Sequence, residues 1–330
     1  MQRFFGSSQL RSEESTPLQT PDRHNREPSE PSVRHQPQRQ QLLRLSYVHQ
    51  VDPSLIRLNL NDRLGEGGFG YVIKGFYTQP VCCFFKRKVP VACKMPAQAV
   101  GVLGPDSAHQ SEYRIMRLLP KHDHLIQLLC YLPHFQGMVL EFCNQGTLFH
   151  FRVHLRREIP LRWFCDLSSA LLVLKTIGVI HRDLKPENIL IHRFVPKIAD
   201  FGLACHAQDI ELNKTSGTLG YMAPEMFLRR EKVSHHNDVW GLGAVFFFMV
   251  FDEDFTPFLS RSSAGAYHRF LMNEGQWLLR FSECVIRQRS LYQRGSYLRS
   301  MLKKTLHPNP KKRFSAEELS QRTTGLMSIN

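Results

Sequence analysis

The segment IHRDLKPENIL at residues 180–190 carries the side chains with the clearest chemical potential. An aspartate, Asp183, is followed by Lys185 two residues later and by Asn188 five residues later, and Pro186 favours a loop between them. This spacing brings together a base, a cation suited to phosphate and an amide suited to a metal ion. The pattern therefore favours chemistry on a phosphate group.

Further polar motifs follow this segment at short intervals. Asp200-Phe201-Gly202 supplies a second carboxylate suited to Mg²⁺, and Gly217-Thr218 and Ala223-Pro224-Glu225 come after it. A turn-rich loop that carries all of these residues by chance is a negligible alternative.

A glycine-rich run, GEGGFGYV at residues 65–72, precedes these motifs. Glycines let backbone amides approach phosphate oxygens without a Cβ in the way. An ordinary turn is one alternative, and a dinucleotide-binding loop is another, but that loop must open a helix. The residues that follow, from Tyr71 to Tyr77, predict a strand. A hairpin folded over phosphates fits this pattern better.

Lys94 and Glu112 form a candidate ion pair. Lys94 ends a predicted strand, and Glu112 lies on the same helical stripe as Ile115, Met116 and Leu119. A carboxylate on an apolar stripe is buried and needs a cation. The alternative is a solvated lysine at a strand end and a glutamate that reaches water from the start of its helix.

The chain divides into three regions. Its first 46 residues are rich in Ser, Pro, Gln, Arg and Glu, which predicts a disordered tail. Residues 58–95 contain short β-branched and aromatic runs that predict an antiparallel meander. A capping box at Ser107 and Gln110 predicts a helix start. Beyond Gly146 the pattern is mostly helical, with a strand pair near 189–191 and 197–199.

Length and composition exclude several classes of protein. The chain has 330 residues, 42% of them hydrophobic, which supplies a real core. The most apolar run, Val239 to Phe251, is too short for a membrane span and predicts a buried helix. The N-terminus lacks the apolar stretch of a signal peptide. Eight cysteines without a CxxC motif indicate neither a zinc site nor a disulfide framework, so we expect a cytoplasmic or nuclear protein with reduced thiols.

The net charge of +14 is unevenly distributed. Residues 258–313 hold twelve Lys and Arg against Glu274 and Glu283, whereas residues 1–46 hold seven Arg against five acids. The basic region is either a solvated helical surface or a face for an anionic partner such as acidic protein, nucleic acid or phospholipid.

With these motifs in place, the sequence resembles the eukaryotic protein kinase superfamily from about Leu58 to Leu319. The resemblance implies an α+β, bilobal kinase fold: a small β-rich N-lobe with one long helix, at about 58–141, and a larger, mainly helical C-lobe, at about 145–325. The kinase domain is thus expected at 58–325, after a tail at 1–50.

The resemblance also implies ATP and Mg²⁺ as cofactors and assigns roles to individual residues. Asp183 is the expected catalytic base, supported by Lys185 and Lys94, and Asn188 and Asp200 are the expected metal ligands. The expected ATP-binding residues are Leu64, Gly65, Glu66, Gly67, Gly68, Phe69, Gly70, Tyr71, Val72, Lys94, Glu112, Glu141 and Cys143.

Three further positions match structural elements of the family. Leu140 matches the residue at the back of the adenine pocket, Glu225 with Arg313 the ion pair that anchors the substrate-binding segment, and Asp238 the acid that braces the catalytic loop.

Lys185 together with Gly217-Thr218 resembles the serine/threonine-specific subgroup, so we expect transfer of the ATP γ-phosphoryl group to Ser or Thr of protein substrates. The alternatives are a pseudokinase-like scaffold and a protein that binds an anionic partner, including nucleic acid. Arg182 is expected to pair with a phosphate on the activation segment, at Thr215 or Ser216.

Acidic or neutral substrates are expected because Thr147 and Phe248 stand where Arg-selective relatives carry carboxylates, although Glu187 remains. The motifs leave the oligomeric state open.

Overall fold

The computed structural model describes most of the chain after residue 50. The described residues are 51–67, 70–81, 85–97, 108–156, 159–209, 216–228, 233–253, 273 and 295–327. The predicted tail, the predicted cap at Ser107 and most of the basic region 258–313 lie outside them.

An antiparallel five-stranded sheet forms the first half of the described fold, in the order β1-β2-β3-β5-β4. Its strands are β1 (Ile56–Gly67), β2 (Gly70–Pro80), β3 (Lys86–Pro96), β4 (Leu128–Leu132) and β5 (Gly137–Glu141). The strands β1 to β3 are the meander predicted at residues 58–95. Ile73, Val91, Cys93 and Val139 are fully buried on one face of this sheet, so alternation along the strands separates core from solvent.

Helix α1 (Ala108–Met116) packs its buried side against the sheet. Its nine described residues are fewer than the long helix expected from sequence. The chain tightens directly after it, because Leu118 and Leu119 donate to the carbonyls of Ile115 and Met116, three residues back. The predicted stripe residue Leu119 therefore lies beyond the helix.

The second half is mainly helical. Its helices are α2 (Leu148–Phe151), α3 (Ile159–Thr176), α4 (Pro224–Leu228), α5 (His235–Phe251), α6 (Gly295–Thr305) and α7 (Ala316–Met327). Two small antiparallel ladders join them: β6 (Val179–Ile180) with β9 (Cys205–His206), and β7 (Ile189–His192) with β8 (Val195–Ile198). The predicted strand pair corresponds to β7 and β8.

Helix α5 is the centre of the helical half and contains the core helix predicted at 239–251. It begins at a capping box formed by Ser234 and Asn237, and it ends at Asp252 with a left-handed φ of 54°. Phe246 stacks on Phe164 of α3 with ring centroids 4.1 Å apart, and both rings are fully buried. Among the described residues, every helix is too short or too polar to cross a membrane.

Helix α6 approaches α5 at a glycine. A Cβ placed on Gly243 would lie 2.8 Å from Thr305 Oγ1 and 3.0 Å from Thr305 Cβ. Thr305 cannot turn away cheaply, because it is fully buried and its hydroxyl donates to the carbonyl of Met301 at 2.9 Å. The absence of a side chain at Gly243 thus sets the spacing of the two helices.

We expect Gly243→Ala to destabilise the protein by about 1–3 kcal/mol through overpacking. Gly325→Ala is the matched control, because a Cβ there meets no atom within 4 Å, and alanine raises helix propensity by up to about 1 kcal/mol. Thermal unfolding should show a lower midpoint for the first variant and an equal or higher one for the second. A Gly243→Ala midpoint at or above that of the wild type would contradict the tight approach.

Candidate active site

Asp183 lies in the loop between β6 and β7 and is held on both carboxylate oxygens. Its Oδ1 accepts hydrogen bonds from the backbone N and the Oγ1 of Thr218, each at 2.8 Å. Its Oδ2 accepts from Asn188 Nδ2 at 3.0 Å and lies 3.0 Å from Lys185 Nζ. Lys185 also donates to Thr218 Oγ1 at 2.7 Å. The predicted base, cation and amide are therefore one connected group.

The backbone of this loop is held from below by Asp238 at the start of α5. Asp238 is buried, and its two oxygens accept from the backbone N atoms of His181 and Arg182, at 2.8 and 2.9 Å. Burial raises the pKa of Asp238 above its ordinary value, whereas His181 and the two N–H groups act to lower it. Arg182 has a left-handed φ of 70°, a costly conformation for a long side chain. The two hydrogen bonds hold this conformation in place.

His181 connects the loop to the segment after β8. Its Nε2 lies 3.0 Å from the carbonyl of Ala199, and its Nδ1 lies 3.3 Å from the backbone N of Asp183. This arrangement requires a proton on Nε2 and an acceptor lone pair on Nδ1. The ring also meets Phe201 edge-on at 4.8 Å, and Phe201 is fully buried. His181 therefore connects the backbone of Asp183 to the segment at residues 199–201, which contains Asp200.

Lys94, Glu112 and Asp200 form a three-charge contact. Lys94 Nζ lies 2.7 Å from Glu112 Oε1 and 2.7 Å from Asp200 Oδ1. Their side chains are 10%, 3% and 39% exposed, respectively, so the first pair is buried and Asp200 is partly exposed. This contact joins β3, α1 and the segment after β8. The predicted pairing of Lys94 with Glu112 agrees with this geometry.

The pKa shifts of these groups follow from burial and mutual attraction. Burial alone would lower the pKa of Lys94, but Glu112 and Asp200 raise it above its ordinary value. Burial raises the pKa of Glu112 despite the nearby ammonium. Burial would also raise the pKa of Asp200, yet Lys94 holds it below its ordinary value. Asp200 therefore stays ionised.

Asn188 and Asp200 lie at the same end of the β7–β8 ladder. Ile189 pairs with Ile198, and the backbone N of Ala199 donates to the carbonyl of Asn188 at 2.9 Å. Asn188 donates from Nδ2 to Asp183, which leaves its amide oxygen as an acceptor. Oδ1 of Asp200 accepts a hydrogen bond from Lys94. The remaining amide and carboxylate oxygens are the hard donors that Mg²⁺ prefers.

The glycine-rich segment forms the turn region of the β1–β2 hairpin. Gly67 pairs with Gly70 across the ladder, and residues 68 and 69, which include the predicted Gly68 and Phe69, lie outside the described residues. The strand that follows excludes the helix that a dinucleotide-binding loop requires. Apart from its chain neighbours, a Cβ on Gly65 or Gly67 would meet no atom of the described residues within 4 Å, so packing among these residues does not require the two glycines.

Gly70 has a different reason to be glycine. Its φ is 143°, and a Cβ there would lie 1.9 Å from the carbonyl oxygen of Met95 on β3. The last glycine of this run is therefore required by the contact between β2 and β3.

The other predicted residues of the hairpin differ in exposure. Leu64 is 44% exposed, and Glu66 is exposed and pairs with Arg63 at 2.9 Å. Tyr71 and Val72 are half-buried on β2.

Glu141 and Cys143 connect the two halves of the fold. The carboxylate of Glu141 is engaged by Lys197 Nζ and by the backbone N of Gln127, each at 3.0 Å. Burial raises the pKa of the Cys143 thiol to about 12, so this sulfur stays protonated.

The family model "Protein kinase domain" matches residues 58–323. The chain belongs to the protein kinase family. The expected α+β bilobal kinase fold is therefore confirmed, with the five-stranded sheet in its smaller part and the helices in its larger part.

Curated relatives include plant protein kinases. CBL-interacting protein kinase 10 of Oryza sativa subsp. japonica is 29% identical over 280 residues, which cover 80% of this chain and 56% of the relative. CBL-interacting serine/threonine-protein kinase 12 of Arabidopsis thaliana is 28% identical over 275 residues, 80% of this chain and 52% of the relative. This kinase chain spans about half the length of these relatives.

Two further contacts involve residues that the sequence analysis named. Arg313 and Glu225 form a bidentate pair at 2.7 and 2.9 Å, with Arg313 fully enclosed. Arg182 donates to the hydroxyl of Ser216. The other predicted phosphate acceptor, Thr215, lies outside the described residues.

Sequence reasoning missed two residues that position this site. Asn237 closes the α5 capping box and also donates to Glu225 Oε1 at 2.9 Å, and the Ser-x-x-Asn spacing at its helix start was the available signal. His109 is buried one turn before Glu112, and its Nε2 lies 2.5 Å from the carbonyl of Gln136 in the β4–β5 turn. Its signal was a histidine on the same helical stripe as Glu112.

We expect Lys94→Met to destabilise the kinase domain by an amount that grows as pH rises. Without the ammonium, Glu112 remains buried with a raised pKa, so the folded state binds its proton more tightly than the unfolded chain does. The folded variant is then favoured at low pH and loses stability as pH rises above about 4.3, the usual glutamate value.

The measurement is the thermal midpoint of the wild type, Lys94→Met and Lys94→Met/Glu112→Gln at pH 5 and pH 8. The double variant is the control, because a neutral amide removes the titrating group. The deficit of Lys94→Met should be larger at pH 8, and that of the double variant should change little. An equal deficit at both pH values for the single variant would show that Glu112 is not held by Lys94.

Proposed function

We propose that this protein is a serine/threonine protein kinase that transfers the γ-phosphoryl group of ATP to Ser and Thr hydroxyls of protein substrates. The observation that carries the proposal is the joint geometry of Asp183 and Lys94. Asp183 is oriented by Thr218 and Asn188, while Lys94 is already paired with Glu112 and Asp200. Relatives with serine/threonine kinase in their names support the same substrate class.

Asp183 is the proposed catalytic base. Three groups fix its orientation, so its carboxylate accepts the hydrogen bond of a substrate hydroxyl without first reorganising. The hydroxyl oxygen bonds to the γ-phosphorus while the bond from that phosphorus to the β–γ bridging oxygen breaks, and the hydroxyl proton passes to Asp183. ADP leaves with the bridging oxygen.

Lys94 and Lys185 are the proposed cations for the phosphates. Lys94 is held by its two carboxylates, so it approaches the α- and β-phosphates as a positioned charge. Lys185 bridges Asp183 and Thr218 beside the reacting hydroxyl, where it offsets charge on the γ-phosphoryl oxygens. The unblocked glycines Gly65 and Gly67 leave room for phosphate oxygens at the hairpin.

Mg²⁺ fits the oxygen donors that Asn188 and Asp200 present. When bound, it neutralises charge that develops on the phosphate oxygens. The ionised state of Asp200, maintained by Lys94, favours this role. The site holds three carboxylates, at Glu112, Asp183 and Asp200, against two ammonium groups, which also favours a cation in addition to the lysines.

A scaffold without turnover is the alternative considered from sequence. A missing Lys94, Asp183, Asn188 or Asp200 would favour it. All four residues are present and all make the contacts that a competent site requires, which supports the enzyme.

Acidic or neutral substrates are part of the proposal. Thr147 is engaged in capping α2, and the Phe248 ring stacks on Phe149 at 6.1 Å. The guanidinium of Arg152 lies over this aromatic pair, 4.4 Å from the Phe149 centroid and 5.9 Å from the Phe248 centroid. Where a carboxylate would attract a substrate arginine, the chain thus presents a cation, although Asp252 pairs with it at 3.0 Å.

Asp183→Asn should retain the fold and ATP binding but lower the turnover number by about 10²–10⁴-fold, because the substrate hydroxyl loses its base. The readouts are transfer of radiolabelled phosphate to a protein substrate and ATP affinity by calorimetry. Asp123→Asn, on an exposed loop, is the matched control and should keep wild-type turnover. Wild-type turnover by Asp183→Asn would refute the proposed mechanism.

A positional peptide library tests the substrate preference. We expect Asp, Glu or neutral residues to be selected around the phosphoacceptor, and we expect acidic selection to weaken with added salt because exposed charges are screened. Arg152→Gln should reduce acidic selection without changing the selected hydroxyl residue. Strong selection of arginine two or three residues before the phosphoacceptor would contradict the preference.

A further inference from the structure

The end of the β2–β3 hairpin exposes two apolar side chains. Val81 is 65% exposed and Phe85 is 71% exposed. Their backbones are nevertheless ordered relative to each other, because the N–H of Val81 donates to the carbonyl of Phe85 at 2.9 Å. Residues 82–84 lie outside the described residues. The backbone pairing thus keeps the side chains of Val81 and Phe85 exposed to water, where apolar surface is unfavourable.

Three consecutive cations follow this apolar pair. Lys86, Arg87 and Lys88 are all exposed at the start of β3. Across the ladder they face Pro80, Gln79 and Thr78, none of which carries a charge. No acidic residue occurs in the sequence between Glu66 and Asp106, so no neighbour along the chain neutralises this end of the hairpin.

The hairpin end is remote from the proposed active site. Lys86 and Lys94 lie at opposite ends of β3, eight residues apart, which corresponds to about 26 Å at the usual rise of a strand. The strand becomes part of the buried core only from Val91 onward. Neither the core nor the phosphate chemistry therefore accounts for the side chains at its exposed end.

We propose that this surface, defined as Val81, Phe85, Lys86, Arg87 and Lys88, binds the surface of an anionic phospholipid membrane. The order of its chemistry matches the order of the membrane interface. Val81 and Phe85 enter the boundary of the acyl chains, and Lys86, Arg87 and Lys88 lie at the level of the negatively charged headgroups. An acidic protein would pair with the cations, but it would also need an apolar surface opposite Val81 and Phe85.

Vesicle sedimentation with the full chain tests the proposal. The vesicles contain phosphatidylcholine alone or phosphatidylcholine with phosphatidylserine at 3:1. We expect binding to the anionic vesicles that weakens with salt. Lys86→Gln/Arg87→Gln/Lys88→Gln should reduce the partition coefficient about a hundredfold, since each cation near such a surface contributes about fivefold. Val81→Ser/Phe85→Ser should reduce it at least about tenfold.

Two control variants test whether the effect is local. Lys303→Gln/Lys304→Gln/Lys311→Gln removes three exposed cations elsewhere, and Phe135→Ser removes an apolar side chain that is 47% exposed at another turn. Both controls should bind vesicles much more strongly than the hairpin variants. Equal losses for the hairpin and control variants, or a normal partition coefficient for Val81→Ser/Phe85→Ser, would overturn the proposal.

Phe85→Trp provides a direct readout of insertion. The fluorescence emission of the new tryptophan is obtained by subtracting the wild-type spectrum. This emission should shift to shorter wavelength on anionic vesicles, and brominated lipids should quench it. Absence of quenching would overturn insertion. If the chain binds an acidic protein through this surface and does not bind vesicles, the surface is a protein-binding surface instead. Phosphorylation of a soluble peptide should be unchanged in every hairpin variant, so this test is independent of the proposed kinase function.

Discussion

The contact of Lys94 with two carboxylates is the interaction on which the rest of the site depends. It joins a strand, a helix and the segment after β8, and it does so with one ammonium for two negative charges. Charges are costly to bury unless they are paired, so the three elements are stable in this arrangement only together. The shared ammonium also leaves one carboxylate, that of Asp200, partly exposed and incompletely neutralised. The interaction that joins the two halves of the fold therefore also leaves the carboxylate of Asp200 able to bind another cation.

The helical half contributes a second set of constraints through buried hydrogen bonds. Asp238 uses both oxygens on the backbone before Asp183, and Arg182 and Asp200 keep left-handed φ values of 70° and 59°. Such conformations persist where the surroundings over-determine them. Here those surroundings are α5, His181 and the Lys94 contact. The positions of Asp183 and Asp200 therefore depend on contacts with the buried core as well as on their own loops.

Local pattern and long-range pairing differ in how far sequence predicts them. The helical stripe around Glu112 predicted its burial and its need for a cation, and the strand after Gly70 predicted a hairpin. The role of Gly70 at Met95, the contact of His109 with Gln136 and the guanidinium of Arg152 over two phenylalanines were not predicted. Each of these depends on which distant backbone or ring approaches the residue, and no periodicity encodes that approach. The resemblance to a known family supplied Asp238 and the Glu225–Arg313 pair, which spacing alone does not connect.

The pairing of Glu225 with Arg313 has a consequence for how this chain tolerates changes in length. The two residues are 88 positions apart, and the close approach of Gly243 to Thr305 fastens α5 to α6 inside the same interval. Both flanks of the interval between α5 and α6 are therefore fixed by contacts among described residues. For a flexible connection whose ends are already held together, doubling the length costs only about 0.6 kcal/mol in closure entropy. Insertions and deletions between these helices are thus expected to change the free energy of unfolding little, and they can add surface without disturbing the catalytic groups.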